Sequence, residues 1–259
     1  MLRVITANVN GLRSAAKKGF FEWLAAQKAD VICLQETRCD SAVLAADPFF
    51  PPEYQAYTFD AHKKGYSGVS IYTKHAPINI RKGLGWPTAD TEGRYIEADF
   101  GALTIASLYL PSGTSGDTRQ SVKYDFMERY TPYLATQCAA IKPAIICGDW
   151  NIAHKTIDLK HWKSNQTSSG FLPEERAWLD TLVDELGWVD AFRVINQEPE
   201  QYTWWSQRAR GARENNVGWR IDYQFIHPAL KEKVRAAQIC PWPAFSDHAP
   251  LIVDYDLGF

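Results

Sequence analysis

Short strand-like runs recur along this chain, separated by turns and by a few stretches of helical period. LRVITANV (2–9) alternates, and DVICLQE (30–36) is apolar almost throughout, as a strand covered on both faces reads. GVSIYTK (68–74), RYIEADFG (94–101) and LTIASLYLP (103–111) alternate, and PAIICGDWN (143–151) is a second buried run. QYTWWSQ (201–207), WRIDYQFIH (219–227) and APLIVDYDL (249–257) return to strand-like patterning.

KKGFFEWLAAQKA (17–29) carries Phe20, Trp23, Leu24 and Gln27 on one helical face, with one polar lapse. A second helix is expected from near Thr118, with Val122, Phe126, Tyr130, Tyr133 and Leu134 on one side and a kink at Pro132. Pro173, followed by Glu174 and Glu175, opens a third, which Gly187 closes. DPFFPPEY (47–54) reads as a Pro-rich surface loop. Many short strands with few long crossovers predict an α+β fold with two packed sheets, not a doubly wound one. The 259 residues are expected to form a single domain, 1–259.

Composition narrows the setting. Five cysteines, odd in number, scattered and without a CxxC pair, argue against a disulfide scaffold or zinc site and for a reducing compartment. No basic-plus-apolar leader precedes the first strand, and no apolar run approaches the ~20 residues of a membrane span. A cytoplasmic protein is expected. With a net charge of −2, contact with nucleic acid would need a local basic face.

The candidate chemistry lies at strand ends. LAAQKADVICLQE and AAIKPAIICGDWN both run from a helix end into an apolar strand that ends in an acid, Glu36 and Asp149. Acids ending two central strands of facing sheets would emerge on one rim, a rigid way to build a site. Asn8, Asn10, Tyr109, Asn151, Asp222, Asp247 and His248 also fall at strand ends. Such an oxygen-rich set without thiolates suits Mg²⁺ or Mn²⁺ rather than zinc, and a hard cation among carboxylates points to phosphoryl transfer. Asp222 is the natural orienter for His248, whose protonated ring would offset charge on a phosphodiester under attack, while Asp149 or the metal would prepare the water. A Ser/His/Asp hydrolase is a weaker reading, because no G-x-S-x-G elbow is present.

In this order, ITANVNGLRS, DVICLQETR, GYSGVSIYTK, GRYIEADFG, SLYLPSG, CGDWNIAH, GFLPEERAWLD, GWRIDYQ and FSDHAPLIVDYD resemble the exonuclease III family of abasic-site endonucleases, within the wider group that includes deoxyribonuclease I. The resemblance spans nearly the whole chain. It implies an α/β four-layer sandwich, two mixed sheets flanked by helices, with the site at one edge. It implies Mg²⁺-dependent cleavage of duplex DNA 5′ to abasic sites, together with 3′→5′ exonuclease and 3′-phosphatase or phosphodiesterase trimming of blocked 3′ ends. By resemblance Glu36 is the main metal ligand, helped by Asn8 and Asn10 and flanked by Asp247. Tyr109 and Asn165 look like phosphate contacts, Asp149 with Asn151 like the water-activating group, and Asp222 with His248 like the phosphate-polarising pair. Which of Asp149 and His248 is the base stays open. A monomer in a bacterial cytoplasm, nucleoid-associated when on DNA, is the family-level expectation.

Asn10 stands where some relatives have Asp, and Ser168 where some have Asn, which puts a second metal position and one polar contact near the lesion in doubt. In the late loop YTWWSQRARGARENNVGWR, Trp204, Trp219 and Ile221 resemble an apolar slot for a flipped-out, base-less sugar. Arg208, Arg210 and Arg213, interleaved with tryptophans, read as a phosphate-contacting patch, and Lys63, Lys64, Tyr66 and Ser67 as a weaker one. A non-catalytic regulator on the same fold would have little reason to keep every acid of the rim. A phosphatase for inositol phosphates or sphingolipid head groups would not need the tryptophan slot or the arginine loop.

Overall fold

A computed structural model describes residues 1–40 and 51–258; the first half of the loop expected at 47–54 lies outside them. The described strands are β1 (Leu2–Asn8), β2 (Val31–Gln35), β3 (Gln55–Phe59), β4 (Val69–Thr73), β5 (Asn79–Lys82), β6 (Tyr95–Asp99), β7 (Thr104–Tyr109), β8 (Ala144–Asp149), β9 (Val189–Asp190), β10 (Asp222–Ile226), β11 (Val234–Ile239) and β12 (Leu251–Tyr255). They form two six-stranded sheets, ordered β11-β12-β1-β2-β4-β3 and β5-β6-β7-β8-β10-β9. Each sheet has one parallel pair at its centre, β1 with β2 and β7 with β8, and antiparallel neighbours on both sides. β2 and β8 therefore hold equivalent places, and the echo between the two acid-ending segments is the sequence trace of that pseudo-symmetry.

Period-two alternation decides what lies between the sheets. Val4, Val31, Ile105, Ile145, Ile226, Leu251 and Val253 form the apolar part of that layer. Further along the same strands the inward positions turn polar and are satisfied across the gap. Gln35 Nε2 donates to Ser107 Oγ at 3.0 Å, Ser107 Oγ to the Leu34 carbonyl at 3.0 Å, and Gln224 Nε2 to the Val4 carbonyl at 3.0 Å. At the far end the inward positions are Asn8, Tyr109, Asp149 and Asp222. Polarity thus rises along the interlayer from aliphatic core to acidic rim, and the apolar end anchors the acids.

Outer faces carry the helices. Helices α1 (Leu12–Lys17) and α2 (Phe20–Gln27) set Leu12, Ala15, Phe20 and Leu24 against Ile5, Ala7, Ile32 and Leu34. On the other sheet α4 (Asp117–Ala139) and α5 (Pro173–Asp180) cover Ala106, Leu108, Ile146 and Phe225, with Phe126, Met127, Leu134 and Leu179. Short α3 (Pro87–Thr91) lies between α2 and α4 in sequence, and α6 (Ala191–Ile195) follows β9. Helix, sheet, sheet and helix make the expected four-layer sandwich.

Several local expectations shift. The helix expected over 17–29 is confined to Phe20–Gln27, because Gly19 takes φ 86° and separates it from α1, which ends at Lys17. Helix α4 runs on through Pro132. The helix opened by Pro173 ends in a π turn, Thr181–Glu185, before Gly187 at φ 90°. Residues 201–207 form no strand; Trp204 makes only isolated bridges to Trp219 and His248. β3, β5 and β11 are edge strands with mostly exposed or half-buried positions, so hydrophobic alternation leaves little mark on them. Among the described residues, no helix is long and apolar enough to cross a membrane.

Candidate active site

Strand direction explains why distant residues share one rim. β1, β2, β7 and β8 contribute their C-terminal ends, with Asn8, Glu36, Tyr109 and Asp149; the antiparallel neighbours β10 and β12 contribute their starts, with Asp222 and the Asp247–His248 pair. Asp222 lies opposite Asp149 in the β8–β10 register, and Tyr109 beside Asp149 in the β7–β8 register. The chain leaves the strands abruptly: Asn10, Glu36, Arg38, Ser67 and Asn151 have φ between 44° and 51°. Left-handed backbone at such residues costs on the order of 1–3 kcal/mol each, so their concentration at one rim marks a functional site.

The acids are locked together. Asn8 Nδ2 donates to Glu36 Oε1 and to Asp149 Oδ2, both at 2.9 Å, and Tyr109 OH donates to Glu36 Oε1 at 2.8 Å. Asp149 Oδ1 accepts from the Asn151 backbone N–H at 2.9 Å, while Asn151 Nδ2 reaches the Leu110 carbonyl at 2.9 Å. His248 Nδ1 meets Asp222 Oδ2 at 2.9 Å, which aims Nε2 at Asp149, 3.8 Å from its Oδ2. Thr203 Oγ1 accepts from the Ile221 and Asp222 N–H groups and holds the start of β10.

These contacts set the charges. Burial, reinforced by Asp222 and Glu36, pushes the Asp149 carboxyl up to about 7 against the lowering effects of His248 and Asn8. Burial alone would discharge His248, but Asp222 and Asp149 outweigh it and hold the ring protonated up to about 10. Tyr109 is pushed well above its ordinary range by burial and by Glu36, so it stays a neutral donor. Asp247 ends lower than usual: burial raises it, but His248, Asn10 and Trp204 bring it down.

Oxygen atoms of Glu36 and Asp149 and a ring nitrogen of His248 all lie within 4.8 Å of one another. Two carboxylates and no thiolate are the donor set of a hard divalent cation, so these residues fit the metal that the resemblance implies. The asparagines take other places. Asn8 turns its amide nitrogen to the acids, and its oxygen accepts from the Asn10 N–H at 3.0 Å. Asn10 Nδ2 donates to Asp247 Oδ1 at 2.7 Å, and Trp204 Nε1 to Asp247 Oδ2 at 3.1 Å.

An open cleft of about 1040 Å³ holds the rim. Of the residues singled out in the sequence, Asn10, Glu36, Tyr109, Asp149, Asn151, Asp247 and His248 line it together with Asn165, Trp204, Trp219, Ile221 and Arg208. The Trp204 and Trp219 rings meet edge-on at 6.3 Å and pack with Ile221, Phe171 and Leu159 into an apolar wall. Arg210 is exposed beyond the cleft lining. Arg213 is used elsewhere: its guanidinium lies 4.5 Å from the Trp205 ring and donates to the Pro241 and Ser246 carbonyls. Trp205 belongs to the packing. Tyr66 and Ser67 line a neighbouring groove, and the Tyr66 hydroxyl accepts from Arg94 and Arg119, both at 3.1 Å.

Sequence reasoning passed over three supports. Buried Arg94 donates to the Tyr109 carbonyl at 2.9 Å and stacks 4.7 Å over the Tyr109 ring. Lys123 and Glu175 form a fully buried ion pair at 2.6 Å; Lys123 also holds the Asn151 carbonyl at 2.8 Å, and Glu175 takes the Gly170 and Leu172 N–H groups. This pair ties the turn after β8 to the loop carrying Asn165. Arg38 pairs with Glu36. Its one sequence signal is its place two residues beyond the acid that ends β2.

A model of the Endonuclease/Exonuclease/phosphatase family matches residues 5–248. The chain belongs to that family. It is 38% identical to an exodeoxyribonuclease of Bacillus subtilis over 96% of this chain and 98% of the relative. It is 37% identical to the DNA repair nuclease APEX1 of Danio rerio, over 96% of this chain and 81% of that protein. Among solved structures, an AP endonuclease from Archaeoglobus fulgidus superposes with a TM-score of 0.86 at 28% identity, over 99% of this chain and all of the other. The chain is a hydrolytic nuclease, the enzyme class that the resemblance implied.

Proposed function

We propose that this protein is a DNA-repair nuclease, dependent on a divalent cation for which magnesium is the physiological choice and manganese a substitute, that cuts duplex DNA on the 5′ side of abasic sites and trims blocked 3′ ends. One observation carries the reading: the Glu36, Asp149 and His248 cluster opens into the same cleft as the apolar wall of Trp204, Trp219 and Ile221. Attack on a phosphodiester needs a base for water and positive charge for the phosphate oxygens, and selecting a base-less sugar needs an apolar slot too small for a nucleobase. The relatives, an exodeoxyribonuclease, a DNA repair nuclease and an AP endonuclease, support it.

The roles follow from protonation. His248 keeps its proton up to about 10, so it cannot accept one at neutral pH; its Nε2–H serves the phosphate as a charged donor. Asp149, pushed to about 7, is poised to take the proton of the attacking water at the oxygen facing His248. Neutral Tyr109 and the Asn151 region border the phosphate, with Asn165 and Arg208 at the cleft edge. Glu36 would hold the cation, which when bound polarises the phosphate and lowers the pKa of nearby water.

The test is a duplex oligonucleotide with one abasic analogue, incubated with Mg²⁺ or EDTA and wild type or Asp149→Asn. Nicking 5′ to the lesion by wild type in Mg²⁺ alone is expected. A wild type that binds the duplex but never nicks it would overturn the proposal.

A further inference from the structure

Three donors converge on the Glu36 carboxylate, and they differ in kind. Asn8 and Tyr109 are neutral and share Oε1. Arg38 takes Oε2 and brings a full positive charge. Its side chain is also the accessible one, 43% exposed against 12% for Glu36. Its backbone is fixed: Arg38 has φ 49°, its N–H donates to the Ser67 carbonyl at 2.9 Å, and the adjacent Thr37 N–H donates to Gly68. The anchor is rigid and the guanidinium is half in solvent, the arrangement of an arm and not of a core brace.

Where that arm lies adds the second observation. Arg38 lines both the catalytic cleft and a separate groove of about 400 Å³ beside it. The groove is also lined by Arg13, Lys63, Lys64, Tyr66 and Ser67, and its four cations, Arg38 included, outnumber its two carboxylates, Asp40 and Asp60. Ser67 is buried where it lines the groove, with a hydroxyl that has no hydrogen-bond partner among the described residues. A cationic groove with an unused buried hydroxyl favours an oxyanion, and on duplex DNA that is a backbone phosphate.

We propose that Arg38 is a built-in competitor for the divalent cation. It neutralises Glu36 until an ion displaces it, and the released guanidinium then serves a phosphate in the adjoining groove. Metal loading and DNA binding are thereby coupled through one side chain, and by linkage each strengthens the other. The inference rests on the reading of Glu36 as a cation ligand. It adds a competing charge and a direction of coupling.

Mn²⁺ binding, read by electron paramagnetic resonance without DNA, tests the competition in wild type, Arg38→Met and Arg38→Lys. Arg38→Met is expected to bind Mn²⁺ at least about fivefold more tightly than wild type, with Arg38→Lys close to wild type. Equal affinity in Arg38→Met and wild type, or equal tightening in Arg38→Lys and Arg38→Met, overturns the competition while leaving Glu36 a cation ligand. Absence of Mn²⁺ binding in all three removes the ligand reading and the proposal with it.

The relocation is tested with a duplex whose scissile linkage is a phosphonate, with CH₂ in place of the 3′ bridging oxygen so that it cannot be hydrolysed. In EDTA, Arg38→Met is expected to bind within about twofold of wild type; with Mn²⁺, wild type is expected to bind about fivefold or more tightly than the variant. A loss of equal size with and without Mn²⁺ refutes the coupling.

Discussion

Replacing Lys123 by Met tests how the site is held. Lys123 and Glu175 have no solvent exposure, and Met fills nearly the same volume, so the change removes charge without opening a cavity. Glu175 would keep the Gly170, Leu172 and Gln120 donors but lose Lys123 at 2.6 Å, its only charged partner among the described residues. The Asn151 carbonyl would lose the ammonium at 2.8 Å. Leaving a buried charge unpaired costs about 3–5 kcal/mol, a large fraction of the stability of an ordinary domain. Glu175→Gln strands the ammonium in the same way, and burial already depresses Lys123. In the double variant neither charge remains, so at least about 2 kcal/mol should return relative to the sum of the singles. Urea unfolding of the four proteins measures the cycle, and the nicking rate at saturating DNA reads the site. The singles should lose turnover because Asn151 and the loop carrying Asn165 share this anchor. A cost below about 1 kcal/mol for Lys123→Met, or strict additivity in the double variant, refutes the account.

Asp222→Asn removes the carboxylate nearest His248. A ring held protonated up to about 10 keeps its charge below that pH and loses it above, so the basic limb of the rate profile should move towards neutrality and the rate at pH 8 should fall about 10²–10³-fold; an unmoved limb in single-turnover nicking assigns the limb elsewhere. Asp158 would be raised by burial, but Arg220 and Arg193 bring it down to about 2 from 3.8, so its stabilisation is complete above about pH 4 and is lost as pH falls towards 2. Asp158→Asn should therefore cost about 2–3 kcal/mol at pH 7 and little at pH 2, in urea unfolding across that range. Gly148→Ala places a Cβ 2.1 Å from the Leu108 carbonyl oxygen and should destabilise by more than about 2 kcal/mol while lowering turnover through Asp149; a melting temperature within 2 °C of wild type would show that β7 yields without strain.

What the sequence determined by itself is the set of acids and amides at the strand ends and the kind of sheet that carries them. Buried strands are written as apolar runs, and the step from Cys147 to Asp149 or from Leu34 to Glu36 is visible because an acid that ends such a run is conspicuous. The edge strands β3, β5 and β11 were not legible, since half-exposed strands bury too little surface to impose a pattern. Residues 201–207 misled for the opposite reason: their aromatics pack as loop anchors, an arrangement with no period.

Only the tertiary structure decided the company each residue keeps. Asn8 shows its amide nitrogen to the acids, Arg213 is spent on two carbonyls and a tryptophan, and Arg208 alone of its cluster lines the cleft. Arg38, Arg94, Lys123 and Glu175 gain their roles from partners 2 to 52 residues away in sequence. Residue type and local period are properties of the chain, but charge balance depends on distance and burial, which arise only when the two sheets close on each other.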